Sequence, residues 1–357
     1  MSNKKVIKGR GAQSNIQNRF SEFSHEMRDD FLEYCEKEGE VAEKNKTQYL
    51  EVFPKSIVNK VTSPDVGMAY SMNMYQGCEH GCIYCYARNS HEFWGYSPGL
   101  DFERRILVKK SAPQLLEEYI KRKSWKANTI VMSGNTDCYQ PAEQKFELTR
   151  QCLKVFLKYK HPTAIITKNA LILRDLDLLK QLAKDHLISV LVSITSLSED
   201  TRRLLEPRTA TIKRRLKVVK ALSDHGIPVK VMLAPIIPSI NSHEILPMAK
   251  AVSEAGALGI VHTIVRLNGA NGDIFTEWIK KTMPDRADKV LHQIESCHGG
   301  KLNESRFGVR MRGEGQIAKQ IKDLMTLAKH KYFKGRTMPK LNTELHEQYK
   351  TGQLRLF

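Results

Sequence analysis

Three cysteines within eight residues form the part of this sequence best equipped for chemistry. They stand in the run Cys78-Glu79-His80-Gly81-Cys82-Ile83-Tyr84-Cys85, a C-x3-C-x2-C spacing. Thiolate sulfur favours iron–sulfur, zinc and copper(I) sites, and three thiolates in so short a loop can converge on one of them. A cubane [4Fe–4S] cluster ordinarily takes four cysteines. Three would leave one iron open to a substrate or cofactor, as an open zinc site does. Plainer readings compete. With His80 or His91 the trio could complete a Cys3His zinc knuckle. A disulfide is disfavoured by an odd total of seven cysteines with nothing secretory upstream. Zinc knuckles usually stand in small modules with a second ligand pair, whereas a long α/β pattern follows here and no second C-x2-C occurs.

Such a loop needs a scaffold, and the chain after residue 55 alternates regularly. Met68–Tyr75 has β character and runs into the cysteines; Ala112–Lys123 has helical periodicity. Five more strand–helix pairs follow: Thr129–Ser133 with Gln144–Lys158, Thr163–Thr167 with Leu171–Asp185, Ile188–Ile194 with Ile212–His225, Val229–Leu233 with His243–Ala255, and Ile260–Leu267 with Thr276–Ser296. In the third helix Leu173, Leu176, Leu179 and Leu182 line one face. The strands are near-continuously apolar, as parallel strands buried on both faces are. Six βα units in succession predict an α/β fold, a partial (β/α)6 TIM-like barrel spanning residues 56–297. Helical periodicity over His298–Phe333 predicts an extension, 298–334, that covers the barrel or one end of it. Residues 1–55 read as a polar, partly disordered arm and 335–357 as a flexible tail.

In α/β barrels the working residues sit at the C-terminal ends of the strands. That rule selects Ser133-Gly134-Asn135-Thr136-Asp137-Cys138, then Thr167-Lys168-Asn169, then Ser193, Thr195 and Ser196, then Glu206-Pro207-Arg208, then Ala234-Pro235-Ile236-Ile237-Pro238. Serines, threonines and aspartates there serve equally well as helix caps.

The cysteine spacing, with an aromatic just before the last cysteine, closely resembles the signature of the radical S-adenosylmethionine (SAM) enzymes. The resemblance implies a [4Fe–4S] cluster on Cys78, Cys82 and Cys85, whose open iron is chelated by the amino and carboxylate groups of SAM. It implies reductive cleavage to a 5′-deoxyadenosyl radical that abstracts hydrogen from a substrate, and an electron donor such as flavodoxin or ferredoxin. It also implies a cofactor-binding set: Tyr84 against the adenine, Thr136 and Asp137 for the SAM amine, and Lys168, Ser193 and Thr195 at strand ends. Arg208 would serve the carboxylate, bidentately, with Pro235 and Ile237 on the adenine. The series TDxYQP, TKxxLxxRDxDLL and LEPR resembles the spore photoproduct lyase-like branch, related to DNA repair photolyases, over residues 68 to about 315. Members of that branch use a cysteine near the end of the second strand as a hydrogen donor. Cys138 lies in that loop, and a space-filling free cysteine is the preferred reading. Cys35, Cys152 and Cys297 read as structural.

Composition points to the substrate class. Lys and Arg number 57 against 39 Asp and Glu, a formal net charge of +18, well above the magnitude of about 2–8 usual for a small soluble domain. Such an excess attracts polyanions, nucleic acid being the commonest in the cytosol, although a basic surface can also bind none. Together with the branch resemblance it points to damaged DNA, with RNA, protein or a metabolite as the alternative substrates. A non-catalytic iron–sulfur or zinc nucleic-acid-binding module is the rival of a different class. The 357 residues contain no 18-residue apolar run, so no membrane span is expected and the protein reads as cytoplasmic. At the end, Gln353, Leu354, Leu356 and Phe357 resemble the Gln-Leu-x-Leu-Phe motif that docks bacterial repair proteins on the DNA polymerase sliding clamp. The same residues could simply tuck back onto the barrel.

Overall fold

The computed structural model describes residues 7–20 and 46–351. Among the described residues ten strands build two sheets: β1 (Gln48–Glu51), β2 (Val58–Lys60), β3 (Tyr70–Met72), β4 (Tyr75–Gln76), β5 (Arg105–Val108), β6 (Ile130–Met132), β7 (Thr163–Thr167), β8 (Ile188–Ser193), β9 (Val229–Ile236) and β10 (Ile260–Ile264). The large sheet has the order β10-β9-β8-β7-β6-β3-β2. All its pairings are parallel except β2 with β3. Six parallel strands laid down in chain order, each joined to the next through helix, give the partial barrel that the alternation predicted. Their registers stack apolar side chains: Ile165 pairs with Val190 and Val192 with Val231. These residues are buried in one core with the inward faces of the helices. On the Ile212–Asp224 helix, Ile212, Val218, Val219 and Leu222 are buried while Lys213, Arg214, Lys217 and Lys220 are exposed. Each such apolar side chain contributes roughly 1.5–3 kcal/mol. The Thr211 hydroxyl accepts the Arg214 N–H at 3.4 Å and caps the start of that helix.

Several boundaries move for physical reasons. The strand expected over Met68–Tyr75 is two strands: β3 stays in the large sheet, and β4 leaves it to pair with β5 in a small sheet of order β1-β5-β4. The segment Leu171–Asp185 opens as a 3-10 turn over Ala170–Asp175, which shifts the helical phase. Leu178, Leu179 and Leu182 are therefore the buried face, while Leu173 and Leu176 are half-buried. The long helix expected to Ser296 is two, Asn271–Thr282 and Pro284–Ser296, because Pro284 can only begin a helix here. A short helix over Glu199–Leu205, capped by Ser198, had no periodic signal.

The extension bridges the seam that an open sheet leaves between β10 and β2. After the Pro284–Ser296 helix, Met311 O accepts the Ile264 N–H at 3.0 Å and Leu302 O accepts the Leu267 N–H at 2.9 Å. Arg310 pairs through Nε with Asp65, in the loop between β2 and β3, and donates to Ser63 Oγ at 2.5 Å. The Gly315–Tyr332 helix then packs on the Ile245–Glu254 helix. Beyond residue 335 the chain is not featureless. Glu344–Thr351 is a helix, and its buried His346 sets Nδ1 2.7 Å from Tyr159 O and Nε2 3.2 Å from Ile120 O. Two polar contacts fix it, so apolar periodicity could not announce it. Within the N-terminal stretch, residues 7–20 pack against the cysteine loop. Cys35 and the clamp-like residues Gln353, Leu354, Leu356 and Phe357 lie outside the described residues. Among the described residues no helix is long and apolar enough to cross a membrane.

Candidate active site

β4 carries the chain out of the large sheet and straight into the cysteines. Gly77, at φ 79°, makes the turn; a Cβ there would stand 2.9 Å from Arg105 O. Cys78 N–H then donates to Phe102 O at 2.8 Å, and Ile83 N–H to Leu205 O at 3.0 Å. From within, the loop is held by Arg88, whose Nε and Nη2 donate to Cys82 O at 3.1 and 3.0 Å and whose Nη1 donates to Gly99 O at 3.0 Å. Arg88 Nη2 also meets Glu103 Oε1 at 2.6 Å, and both side chains are fully buried. The Glu103 carboxylate takes two further donors, the N–H groups of Gly11 and Ala12 at 3.1 and 2.8 Å. A buried ion pair stands only when its remaining hydrogen-bonding capacity is met, and this one draws on the N-terminal segment to meet it. Gly11 lies so near the loop that a Cβ would fall 1.9 Å from Gly81 O.

The three cysteines line one cavity of about 440 Å³ at the C-terminal ends of the parallel strands. His80, Tyr84, Thr136, Asp137, Lys168 and Ser193 line it as well. Burial pushes up the thiols of Cys78, Cys82 and Cys85, and Cys78 is raised further by its cysteine neighbours. Behind Tyr84 sits Glu206, fully buried. Burial alone would raise that carboxyl, but Arg215 and Lys168, with hydrogen bonds from Thr195 and Tyr84, outweigh it and hold the group ionised. Arg215 Nη2 meets Glu206 Oε2 at 2.5 Å, Lys168 Nζ stands 3.7 Å from Oε1, and the Tyr84 hydroxyl donates to the same oxygen. Asp137 is likewise kept low against its burial by His80, with Nδ1 3.4 Å away, and by N–H donors. Its oxygens accept from Tyr139 N at 2.9 Å, Thr167 Oγ1 at 2.8 Å and Lys168 N at 2.7 Å.

The expected residues therefore divide. Cys78, Cys82, Cys85, Tyr84, Thr136, Asp137, Lys168 and Ser193 share the cavity wall. Thr136 spends its hydroxyl on Tyr75 O at 2.7 Å, and its N–H donates to Asn73 Oδ1 at 3.1 Å. Thr195, Arg208 and Ile237 do not line it: Thr195 and Ile237 are buried, and Arg208 is exposed. Thr195 O accepts Asn241 Nδ2 at 2.7 Å, Arg208 Nη1 faces Glu79 Oε1 at 3.7 Å, and the Ile237 N–H donates to Asn241 Oδ1 at 2.6 Å. Pro235 is on the wall, whereas Cys138 is buried in the barrel core away from it. Sequence reasoning missed Arg215, a buried cation on the helix whose other basic side chains, Lys213, Arg214, Lys217 and Lys220, are exposed. It also missed Arg266, Ser63 and Met68 on the wall, which no local motif marks.

The donor set fits an iron–sulfur cluster better than a zinc knuckle. Neither candidate fourth ligand is set for zinc: His80 faces Asp137 and Asn169, the latter 3.3 Å from Nε2, and His91 packs against Tyr96 and Phe102 and does not line the cavity that the cysteines share. Among the described residues no three His, Cys, Asp or Glu side chains are gathered as one metal ion would need. A cubane asks less closeness of three thiolates, since each binds a different iron.

Comparison with known proteins gives the same architecture. Residues 72–252 match the model of the Radical SAM superfamily. An uncharacterized protein of Mycobacterium tuberculosis is 32% identical over 238 residues, 66% of this chain and 70% of that protein. An uncharacterized protein of Methanocaldococcus jannaschii is 32% identical over 197 residues, 55% of this chain and 70% of that protein. Among solved structures, a spore photoproduct lyase complexed with dinucleoside spore photoproduct superposes with a TM-score of 0.60 at 15% identity, covering 80% of each chain. At that identity the likeness is one of fold.

Proposed function

The chain belongs to the radical SAM superfamily, and we propose that Cys78, Cys82 and Cys85 hold its cluster and that its substrate is damaged DNA. The cofactors are a [4Fe–4S] cluster and S-adenosylmethionine. When bound and reduced, they supply a 5′-deoxyadenosyl radical able to take hydrogen from an unactivated C–H bond. What the chain contributes is binding, orientation and exclusion of water. Arg88 and Glu103 fix the loop so that its three sulfurs face the cavity together. Tyr84, its hydroxyl tied to Glu206, offers a ring that cannot rotate away from an adenine. Lys168 and the N–H-saturated Asp137 place one positive and one negative group beside the position where an amino acid moiety would lie. Thr136 and Ser193 add polar contacts, while Thr195, Arg208 and Ile237 steady the residues in front of them. A small electron-transfer protein such as flavodoxin or ferredoxin would supply the electron.

The observation that carries the catalytic reading is the convergence of all three cysteines on one strand-end cavity with Tyr84, Asp137 and Lys168. Support for DNA comes from the net charge of +18 and from the arginines on the cavity wall, Arg266 and Arg310. A further support is that a spore photoproduct lyase, of like fold, has been seen complexed with a dinucleoside spore photoproduct. The test is anaerobic reconstitution with iron and sulfide, then reduction with dithionite in the presence of SAM. Wild-type protein is expected to turn brown and release 5′-deoxyadenosine; Cys82→Ala should do neither, and Cys152→Ala should do both. Stoichiometric zinc without iron ends the reading. Ultraviolet-irradiated DNA should raise turnover above undamaged DNA; equal turnover with both would leave the cluster and remove the substrate.

A further inference from the structure

The cavity has two walls of different electrical character. On the cysteine wall the charges are matched two against two: Lys168 and Arg215 stand with Glu206 and Asp137, the Lys168 backbone N–H donating to the Asp137 carboxylate. On the wall that closes the seam, Arg266 enters just beyond β10 and Arg310 from the loop before the Gly315–Tyr332 helix. The carboxylate there, Asp65, is already taken. One oxygen receives Arg310 Nε, and the other accepts the Gly308 N–H at 2.6 Å. Arg266 has no carboxylate within ion-pair distance among the described residues. Its Nη1 reaches only the Glu304 carbonyl, at a long 3.5 Å. Burial lowers the Arg266 pKa and the neighbouring Arg310 lowers it further, while Asp65 opposes them without touching Arg266. The result is two guanidinium groups facing one carboxylate on a wall that also carries Val61, Val66, Met68 and Met311, with Ser63 and Thr263. Tyr86 stands on the same cavity, half its surface exposed, with its hydroxyl donated to Gly134 O.

We propose that Arg266 and Arg310 form a phosphate-binding subsite in the seam wall, holding the phosphate of a nucleotide whose base lies against Tyr86. A paired guanidinium site matches the geometry and charge of a phosphate, whereas a lone ammonium would give a point charge without direction. An exposed aromatic ring beside such a site offers the face on which an unpaired base stacks. The apolar residues around it exclude water, which strengthens the charge contact. The subsite rests on the nucleic-acid reading above and refines it: it assigns the nucleotide next to the reacting atoms, where the exposed lysines of the Ile212–Asp224 helix can only track a backbone.

The test uses full-length, cluster-loaded protein and three probes: a fluorescein-labelled single-stranded oligodeoxynucleotide, a nucleoside 5′-monophosphate and inorganic phosphate. Arg266→Gln should weaken oligonucleotide binding about tenfold and flatten the slope of log K against log salt by about one. Iron content, the visible spectrum of the cluster and the urea midpoint should match wild type, which shows that the variant is folded and loaded. Tyr86→Leu should weaken the oligonucleotide and the monophosphate but not inorganic phosphate. If wild-type binds the oligonucleotide and Arg266→Gln binds it equally with the same slope, the subsite is overturned and the nucleic-acid reading stands. If wild-type ignores the oligonucleotide but binds the monophosphate through Arg266, the subsite stands and the polymer substrate falls. Binding of none of the three overturns both.

Discussion

The two walls of the cavity are built by opposite means. The cysteine loop itself is gripped by near neighbours, Arg88 lying six residues from the carbonyl it holds and 15 from its carboxylate, and distant segments close around it, with Tyr84 reaching Glu206 across 122 residues. Its charges are buried and matched. The seam wall is assembled from the chain's extremes, with Arg310 meeting Asp65 across 245 residues. It keeps Arg266 without a carboxylate partner among the described residues and leaves Tyr86 half exposed. A buried, saturated network admits few substitutions, because removing one partner strands the other. A wall made of loops that meet across a seam can change without disturbing that network. Under the proposed function, the first wall would carry the common chemistry and the second the choice of substrate.

That contrast can be broken most forcefully at Arg88. Arg88→Met leaves Glu103 charged and buried without its guanidinium, and the loss should be ~3–5 kcal/mol in a urea titration of the cluster-free protein. The same variant should fail to take up iron. Normal iron content with wild-type stability would show that the pair is dispensable.

Acid sharpens the contrast with a smaller effect. His91, beside the cysteine loop, is held by burial at a pKa of about 4, from an ordinary 6.5. Between these values the unfolded chain binds the proton and the fold does not. Stability is therefore full above pH 6.5 and declines as pH falls toward 4. At pH 5 the loss is at most ~2 kcal/mol, from 1.36 kcal/mol per unit. In the seam wall Asp65 has its carboxyl lowered by the Gly308 N–H and Arg310, so that contact survives the same change. Urea midpoints at pH 7.5 and 5 check it. His161 and His262, held low by burial as well, act over the same range. His91→Phe should therefore lessen the dependence by its own share, and an unchanged slope in that variant would assign the acid effect to the others.

The smallest effect is expected from Asp65→Asn. It loosens the seam while leaving the cysteine wall untouched, so iron content and 5′-deoxyadenosine release without substrate should match wild type. Oligonucleotide affinity should rise severalfold at low salt, because Arg310 loses its competing anion. Loss of iron in this variant would mean that the walls are coupled.

Much of the cysteine wall was legible because its ligands are adjacent in sequence and because strand ends mark the working face of an α/β barrel. Lys168 and Ser193, which the rule and the family resemblance both selected, are on the wall. The same rule offered Thr195, Arg208 and Ile237, which do not line it. It names the end of a strand but not the direction of each side chain once the strand has ended. Arg215 was hidden for another reason. A helix pattern treats a cation as solvent-facing, and only the position of Glu206 turned it inward.

By itself, the sequence determined the three thiols and their spacing, the βα alternation and hence the partial barrel, the family those two imply, and the excess of positive charge. Each is a property of residues close together along the chain, or of their sum. Tertiary structure alone decided that β4 leaves the main sheet before the cysteines and that Gly11 packs under Gly81. It alone brought the loop before the Gly315–Tyr332 helix across the seam to Asp65, with Arg266 beside it. Those features depend on which distant segments come into contact, and contact between distant segments is set by the packing of the whole barrel, which no local pattern encodes.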